Sequence, residues 1–344
     1  MKKINLFIYL IPFAFISGCG NDNEVKIDEK PIDSNPELLE RAKGIFGNLP
    51  LIAENTENTI TDEKVALGKA LYYEKRLSKD NTISCNSCHN LDTYGVDNLS
   101  FSPGNDGTLG GRNSPTVLNA ALHISQFWDG RAKDVEEQAG GPILNPVEMA
   151  MPNEKAVTDR ISKIEEYKVL FAKAFPEEKQ PITYSNIQKA IGAFERKLII
   201  HSKFDDYLAG DESKLNQQEK EGLETFISIG CTACHSGNTL GGQLFQKFGA
   251  TANYWEHTKS KNIDNGKFDV TKNEADKYVF KTPSLRNIEK TYPYFHDGSV
   301  EKLDDAVKIM AKIQLNKDLT EKETSDIVSF LKTLTGEVPS QYKQ

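Results

Sequence analysis

Two short stretches, ISCNSCHN at residues 83–90 and GCTACHSG at 230–237, repeat one arrangement of reactive side chains. Each sets two cysteines three positions apart with a histidine directly after: Cys85, Cys88 and His89, then Cys231, Cys234 and His235. The 344-residue chain has only five cysteines and six histidines, so the two stretches take up most of its cysteine. A zinc site would need a second ligand pair at suitable spacing. A thioredoxin-like redox pair would need a βαβ context. A c-type haem attachment needs C-x-x-C-H, which is what both stretches are. Two thioethers then clamp the macrocycle while His89 and His235 supply proximal iron ligands. Two covalently bound haem c groups are the expectation.

The surroundings of the two motifs differ where chemistry would differ. The second half places Met310 fourteen residues after His296, in the apolar pattern Leu303, Ala306, Val307, Met310. A thioether as sixth ligand raises a haem potential and closes the iron, making an electron relay; a plain core methionine fits the same pattern. The first half instead has PVEMAMP, which sets Glu148 among methionines. A carboxylic acid near a haem points to proton handling, and a solvated loop residue is the bland reading.

These residues need helices to hold them. Thr61 opens a run through Val65, Leu67 and Leu71. Asn216 and Glu219 form a capping box ahead of Leu223, Phe226 and Ile227, with the stop at Gly230. Thr320 and Glu323 form another ahead of the stripe Ile327, Phe330, Leu331 and Leu334, with Gly336 as the stop. A second repeat is longer. SPTVLNAALHISQFWDGR from Ser114 aligns without gaps on TPSLRNIEKTYPYFHDGS from Thr282, matching Asn119 with Asn287, Phe127 with Phe295, Asp129 with Asp297 and Gly130 with Gly298. The expected fold is mainly α with little β structure: two cytochrome c-like haem domains related by duplication, at 37–205 and 206–344. The polar, Gly-bearing stretch HSKFDDYLAGDES at 201–213 is read as their junction.

The first residues are of another kind. Lys2 and Lys3 precede an apolar run from Ile4 to Ile16 and then Ser17-Gly18-Cys19. This reads as a lipoprotein signal peptide over 1–18, too short to span a bilayer, with Cys19 lipidated and 19–36 a flexible tether. The expected location is the periplasmic side of a bacterial membrane, with the lipid anchor as the only membrane contact. The formal charge of −8 becomes about −10 once Lys2 and Lys3 are removed. That balance argues against nucleic acid, which demands basic surface, and suits a partner with a basic face.

From about residue 60 to 335 the chain resembles the bacterial dihaem cytochrome c peroxidases, through CNSCHN, RNSPTVLNA, QFWDGRAKDVEEQAGGPILNPVEM, GCTACHSG and TPSLRNIEKTYPYFHDG. The resemblance implies that Cys85, Cys88 and His89 hold a low-potential peroxidatic haem. Cys231, Cys234, His235 and Met310 would hold a high-potential one, with Trp128 between them. It places Gln138 and Glu148 in the peroxide pocket. It assigns Asn113, Thr291 and Pro293 to a calcium ion between the domains, the last two through their carbonyls. The implied activity is reduction of hydrogen peroxide to water (H2O2 + 2e− + 2H+ → 2H2O). Electrons come from a small cytochrome c or a cupredoxin, enter at the His235/Met310 haem and pass by way of Trp128 to the His89 haem. A homodimer is implied too. Glu148 can carry a proton between the two peroxide oxygens so that water leaves, a contribution of roughly 10²–10⁴ in rate.

One position departs from the family. Many members carry a histidine in the loop before RNSPT that ligates the resting peroxidatic iron; ungapped counting puts Asn105 there. Asparagine is a poor iron ligand, so that haem is expected to rest open or water-bound, without need of reductive activation. Two other functions compete. A relative that oxidises residues of a partner protein uses a tyrosine where Met310 stands. A non-catalytic dihaem electron carrier would have no use for an open iron, Gln138 or Glu148. His123, His201 and His257 read as structural or surface residues.

Overall fold

The computed structural model describes residues 35–344. The signal peptide, Cys19 and the tether up to residue 34 lie outside the described residues. No helix among the described residues is long and apolar enough to cross a membrane.

The chain is mainly helical, as expected. The first half contains α1 (Pro36–Phe46), α2 (Asp62–Tyr72), α3 (Cys85–Cys88), α4 (Val135–Leu144), α5 (Glu154–Ile161), α6 (Glu165–Ala174) and α7 (Tyr184–Glu195). The second contains α8 (Lys203–Leu208), α9 (Gln217–Ser228), α10 (Tyr254–Thr258), α11 (Phe268–Thr271), α12 (Leu303–Leu315) and α13 (Glu321–Lys332). The one small sheet among the described residues pairs β1 (Phe245–Lys247) antiparallel with β2 (Val279–Lys281), Phe245 opposite Lys281.

The anticipated helix starts are present for the anticipated reasons. Thr61 caps α2 by accepting from Lys64 N. Asn216 with Glu219, and Thr320 with Glu323, form reciprocal capping boxes on α9 and α13, satisfying donors that a helix start leaves unpaired. The stop of α13 is different from the expectation. The helix ends at Lys332, and Gly336 instead lies against the His201 carbonyl, where an added Cβ would come within 2.0 Å of the oxygen.

The duplication extends to packing. In the first half α2 lies against α7 at Gly68, where a Cβ would sit 1.9 Å from Ala190 O and 2.9 Å from Phe194 Cβ. In the second, α9 lies against α13 at Gly222, where a Cβ would sit 1.9 Å from Asp326 O and 3.0 Å from Phe330 Cβ. The aligned loops match as well. Asn119 and Asn287 both adopt φ 60°, and the bridges Gln126–Ala132 and Tyr294–Val300 close equivalent turns.

Two large apolar cores form among the described residues, beside two small clusters. One gathers Leu67, Leu71, Tyr72, Ile143, Phe171, Ile187, Ile191 and Phe194; the other gathers Phe204, Tyr207, Leu223, Phe226, Ile327, Phe330 and Leu331. Sequence order and core membership cross over at both ends. Leu38, Leu39, Ala42 and Phe46 of α1 belong to the second core, and Val338 to the first, where Tyr342 also packs. The polar stretch 201–213 is no plain linker: it contains α8, whose Phe204, Tyr207 and Leu208 are buried in the second core.

Candidate functional site

Each C-x-x-C-H stretch sits on a short helical turn, α3 for the first and a 3-10 turn at Cys231–Ala233 for the second. The geometry of the histidines is equivalent in the two. His89 Nδ1 lies 3.0 Å from Pro115 O, and His235 Nδ1 lies 3.1 Å from Leu240 O, with the Pro283 carbonyl as a second partner. Pro115 and Pro283 are aligned positions of the long repeat. A carbonyl only accepts, so Nδ1 carries the hydrogen in both rings and Nε2 keeps its lone pair, the tautomer a metal ligand needs. Burial lowers the proton affinity of both imidazoles, His235 to about 4. The Tyr72 hydroxyl donates to His89 O at 2.5 Å and fixes the turn from below. Burial holds the cysteines as thiols, with Cys85 and Cys231 pushed up to about 12 and Cys88 to about 11.

An apolar cavity joins the second motif to its partners. Cys231, Cys234 and His235 line one side, and Met310 on α12 with Ile327 and Leu331 on α13 line another. Phe226 packs tilted against the His235 ring at 6.5 Å. A buried ring nitrogen with a free lone pair, two neutral thiols and a thioether around one apolar space fit a covalently bound haem with a sulfur sixth ligand.

Trp128 lines the same cavity. Its Nε1 donates to Asn113 O at 2.9 Å, and its carbonyl accepts from Lys281 N at 2.8 Å. Arg112 braces this turn by binding Asp129 at 2.6 Å and Asp264 through two contacts of 2.7 and 2.8 Å. His296 is buried, stacked on Phe280 at 4.4 Å and edge-on to Trp128 at 6.4 Å.

Asn113, Thr291 and Pro293 are brought to one wall of this cavity. Asn113 Nδ2 is bound to Leu99 O at 2.8 Å, which turns Oδ1 outward. Among the described residues no donor reaches Asn113 Oδ1 or the carbonyls of Thr291 and Pro293. Neutral oxygens of this kind suit calcium. The described residues contain no cluster of acidic, cysteine and histidine side chains that would hold another metal.

On the other side, Glu148 follows the end of α4. It is half-buried; burial raises its proton affinity, opposed by Arg131 and a hydrogen bond from Asn145. Its charge acts on the Cys88 thiol, so it belongs to the first motif's surroundings. Arg131 lies 3.5 Å over the Phe127 ring and binds Asp129. Gln138, half-buried on α4, makes no side-chain hydrogen bond among the described residues. Met149 and Met151, the neighbours of Glu148, are buried in the first core. The Asn105 side chain is tied to Asp80. Its Oδ1 accepts from Asp80 N at 3.0 Å, its Nδ2 donates to Asp80 Oδ2 at 2.7 Å, and its backbone N–H donates to Glu148 O at 2.7 Å.

Sequence reasoning missed Tyr72, Arg112, Arg131 and Lys281. His123, read as structural, lies on the cavity wall beside Lys281. Only the paired-motif logic could have found Tyr72, through its position one helix before the first haem turn; Arg112 and Lys281 meet partners across 152 and 158 positions, whereas Arg131 binds its near neighbours Asp129 and Phe127.

Two C-x-x-C-H turns with prepared histidines, on twin helical scaffolds, define a dihaem c-type cytochrome. A model of the di-haem cytochrome c peroxidase family matches residues 62–213. The chain is 47% identical over 291 residues to cytochrome c551 peroxidase of Nitrosomonas europaea, covering 84% of each chain. It is 42% identical to cytochrome c551 peroxidase of Pseudomonas aeruginosa over 90% of this chain and 89% of that one. Among solved structures, a MauG-like protein associated with microbial copper homeostasis superposes with a TM-score of 0.78 at 30% identity, over 86% of this chain and 96% of that one. The chain belongs to the di-haem cytochrome c peroxidase family; it is a peroxidase and carries two haem groups.

Proposed function

We propose that this enzyme reduces hydrogen peroxide to water at the His89 side, with electrons delivered by a small cytochrome c or a cupredoxin at the His235/Met310 side. The observation that carries this is an asymmetry. Met310 shares a cavity with His235, Cys231 and Cys234, whereas the acid Glu148 accompanies the Cys85, Cys88 and His89 turn. When bound, haem supplies the redox-active iron at each side.

The chain's own residues do the rest. Trp128, braced by Asn113, Arg112 and Asp129, offers an aromatic bridge between the two motifs for electrons. Glu148 accepts a proton from the nearer peroxide oxygen and returns it to the farther one, so that water departs. Gln138 has its amide free to orient peroxide or water. Asn105, tied back to Asp80, leaves the peroxidatic position without a protein ligand, which supports a resting enzyme already open to substrate. Asn113, Thr291 and Pro293 hold calcium behind Trp128, linking the two halves. The halves act as two haem domains, 37–205 and 206–344, that exchange their end segments. The N-terminal stretch ending at Cys19 supports export and lipid anchoring on the periplasmic side of a bacterial membrane. The family resemblance supports a homodimer.

Met310 weighs against oxidation of a partner protein, and the unliganded setting of Glu148 and Gln138 weighs against a simple electron carrier. The test is steady-state turnover of hydrogen peroxide with reduced cytochrome c, compared between wild type and Met310→Gln. The reading expects turnover in the wild type, and loss of both turnover and the sulfur-to-iron charge-transfer band in the variant. A wild type that consumes no peroxide with any small redox donor refutes it.

A further inference from the structure

Lys281 is the last residue of β2 and is only 7% exposed, yet no carboxylate lies within ion-pair distance of its ammonium among the described residues. It lines the cavity that His235 and Met310 also line. Its Nζ donates to Ser125 O at 2.8 Å and to His123 Nδ1 at 3.2 Å. An ammonium has three hydrogens to donate, so one is left over. The acid whose field reaches it is Asp129, and that carboxylate is already shared by Arg112 and Arg131. Around it are two more polar atoms without partners, His123 Nε2 and Ser125 Oγ, both buried. A lysine buried without an anion is an expensive arrangement, and burial, only partly opposed by the Asp129 charge, depresses its proton affinity to about 8.

An anion in the cavity resolves this. The macrocycle that Cys231, Cys234 and His235 are arranged to hold is apolar except for its two carboxylates, and Lys281 is a buried ammonium on the wall of that cavity with a hydrogen still to donate. We propose that Lys281, braced by His123 and Ser125, binds a carboxylate of the haem on the His235 side and holds that haem's potential up. The proposal rests on the reading that this cavity houses the sulfur-ligated haem. The connection also has a direction: Lys281 N donates to Trp128 O at 2.8 Å, so the residue that grips the haem carboxylate is the one that positions the aromatic bridge.

A nearby positive charge favours the reduced, less positive iron, and removing it must lower the potential. Spectroelectrochemical titration of both haems in the intact holoenzyme at neutral pH reads this. Lys281→Met is expected to lower the reduction equilibrium constant of the Met310-ligated haem about tenfold, about 59 mV for a one-electron couple. The His89-side haem stays within twofold, and Lys281→Arg restores the wild-type value. Unchanged potentials in Lys281→Met overturn the proposal, as does an equal shift of both haems. Resonance Raman of the carboxylate bending modes gives a second readout that needs only the wild type and the conservative Lys281→Arg: a hydrogen-bonded mode is expected in both, and its absence in the wild type overturns the proposal. Met310→Gln checks the underlying reading separately. It removes the sulfur band if this cavity houses that haem, and a sulfur band that depends on Met310 while Lys281 has no effect sinks the present proposal alone.

Discussion

Replacing Gly222 by alanine would test whether the haem scaffold depends on the close approach of its two principal helices. A methyl group there lies 1.9 Å from the Asp326 carbonyl oxygen and 2.5 Å from its carbon, both backbone atoms of α13. An ordinary carbon-to-oxygen contact is about 3.3 Å or more, so α9 and α13 must part by more than about 1 Å. Alanine has the better helix propensity, by about 1 kcal/mol. Overpacking costs about 1–3 kcal/mol, and a backbone-on-backbone clash belongs at the upper end because no side chain can swing aside. The clash wins, leaving a loss of about 2 kcal/mol, or about 4–8 °C in Tm by the scaling for large domains. The damage should also be local. Phe226 on α9 packs on His235, and Ile327 and Leu331 on α13 face the same cavity as Met310. Thermal denaturation and the optical spectrum of Gly222→Ala are therefore expected to show a lower melting point and a weakened sulfur-to-iron band. Gly68→Ala, with the same 1.9 Å clash against Ala190 O, should lower the melting point similarly but spare that band. A Gly222→Ala protein that melts with the wild type, or two variants with the same spectral change, would refute the reasoning.

Glu148→Gln should slow peroxide consumption in stopped flow by roughly 10²–10⁴ with little change in either haem potential; a loss under tenfold would remove Glu148 from the chemistry. Because burial raises its proton affinity and the carboxylate form is the working base, the wild-type rate should fall as pH drops through a value above the ordinary 4.5, and Arg131→Met, which removes an opposing charge, should move that limb to higher pH. Asn105→His should convert an oxidised enzyme that reacts with peroxide directly into one that needs prior reduction; absorption and EPR spectra of the oxidised forms decide, and a low-spin His-capped wild type would contradict the open resting site. Glu195 is buried beside the first haem turn, and burial with the Glu136 charge raises it from 4.5 to about 8. Its folded value exceeds the unfolded one, so its contribution is intact below pH 4.5 and is lost as pH rises through about 8, at roughly 1.4 kcal/mol per pH unit. Denaturant titrations across that window should show Glu195→Gln flattening the decline, and parallel slopes would exclude the effect.

What could be read from the sequence was whatever is written locally. Cys85 to His89 and Cys231 to His235 declare their chemistry within five residues, and Asn216 with Glu219 or Thr320 with Glu323 declare helix starts within four. The repeat was legible because Asn119 and Asn287 need the same left-handed backbone and the aligned turns close by the same bridges. Partners far apart in the chain were not legible. Lys281 meets His123 across 158 positions, and Arg112 meets Asp264 across 152, with no local pattern to announce either pair. The stretch 201–213 hides its packing behind its composition: Lys203, Asp206, Asp211 and Ser213 are exposed, while Phe204, Tyr207 and Leu208 fill a core and Asp205 pairs with buried Arg286. Gly336 misled by type, since a glycine after an apolar stripe reads as a stop but here admits the His201 carbonyl.

The crossed ends have a consequence for how such a chain can be divided. Phe46 of α1 meets Phe204 edge-on at 5.4 Å, and Tyr342 accepts a hydrogen bond from Tyr73 at its carbonyl. Fragments made by severing the chain between the repeats would each carry away a piece of the other's wall. Neither would close around its own macrocycle until the missing piece was grafted back, residues 36–46 onto the later fragment and 338–342 onto the earlier. Each core is thus walled in part by a segment from the far end of the chain.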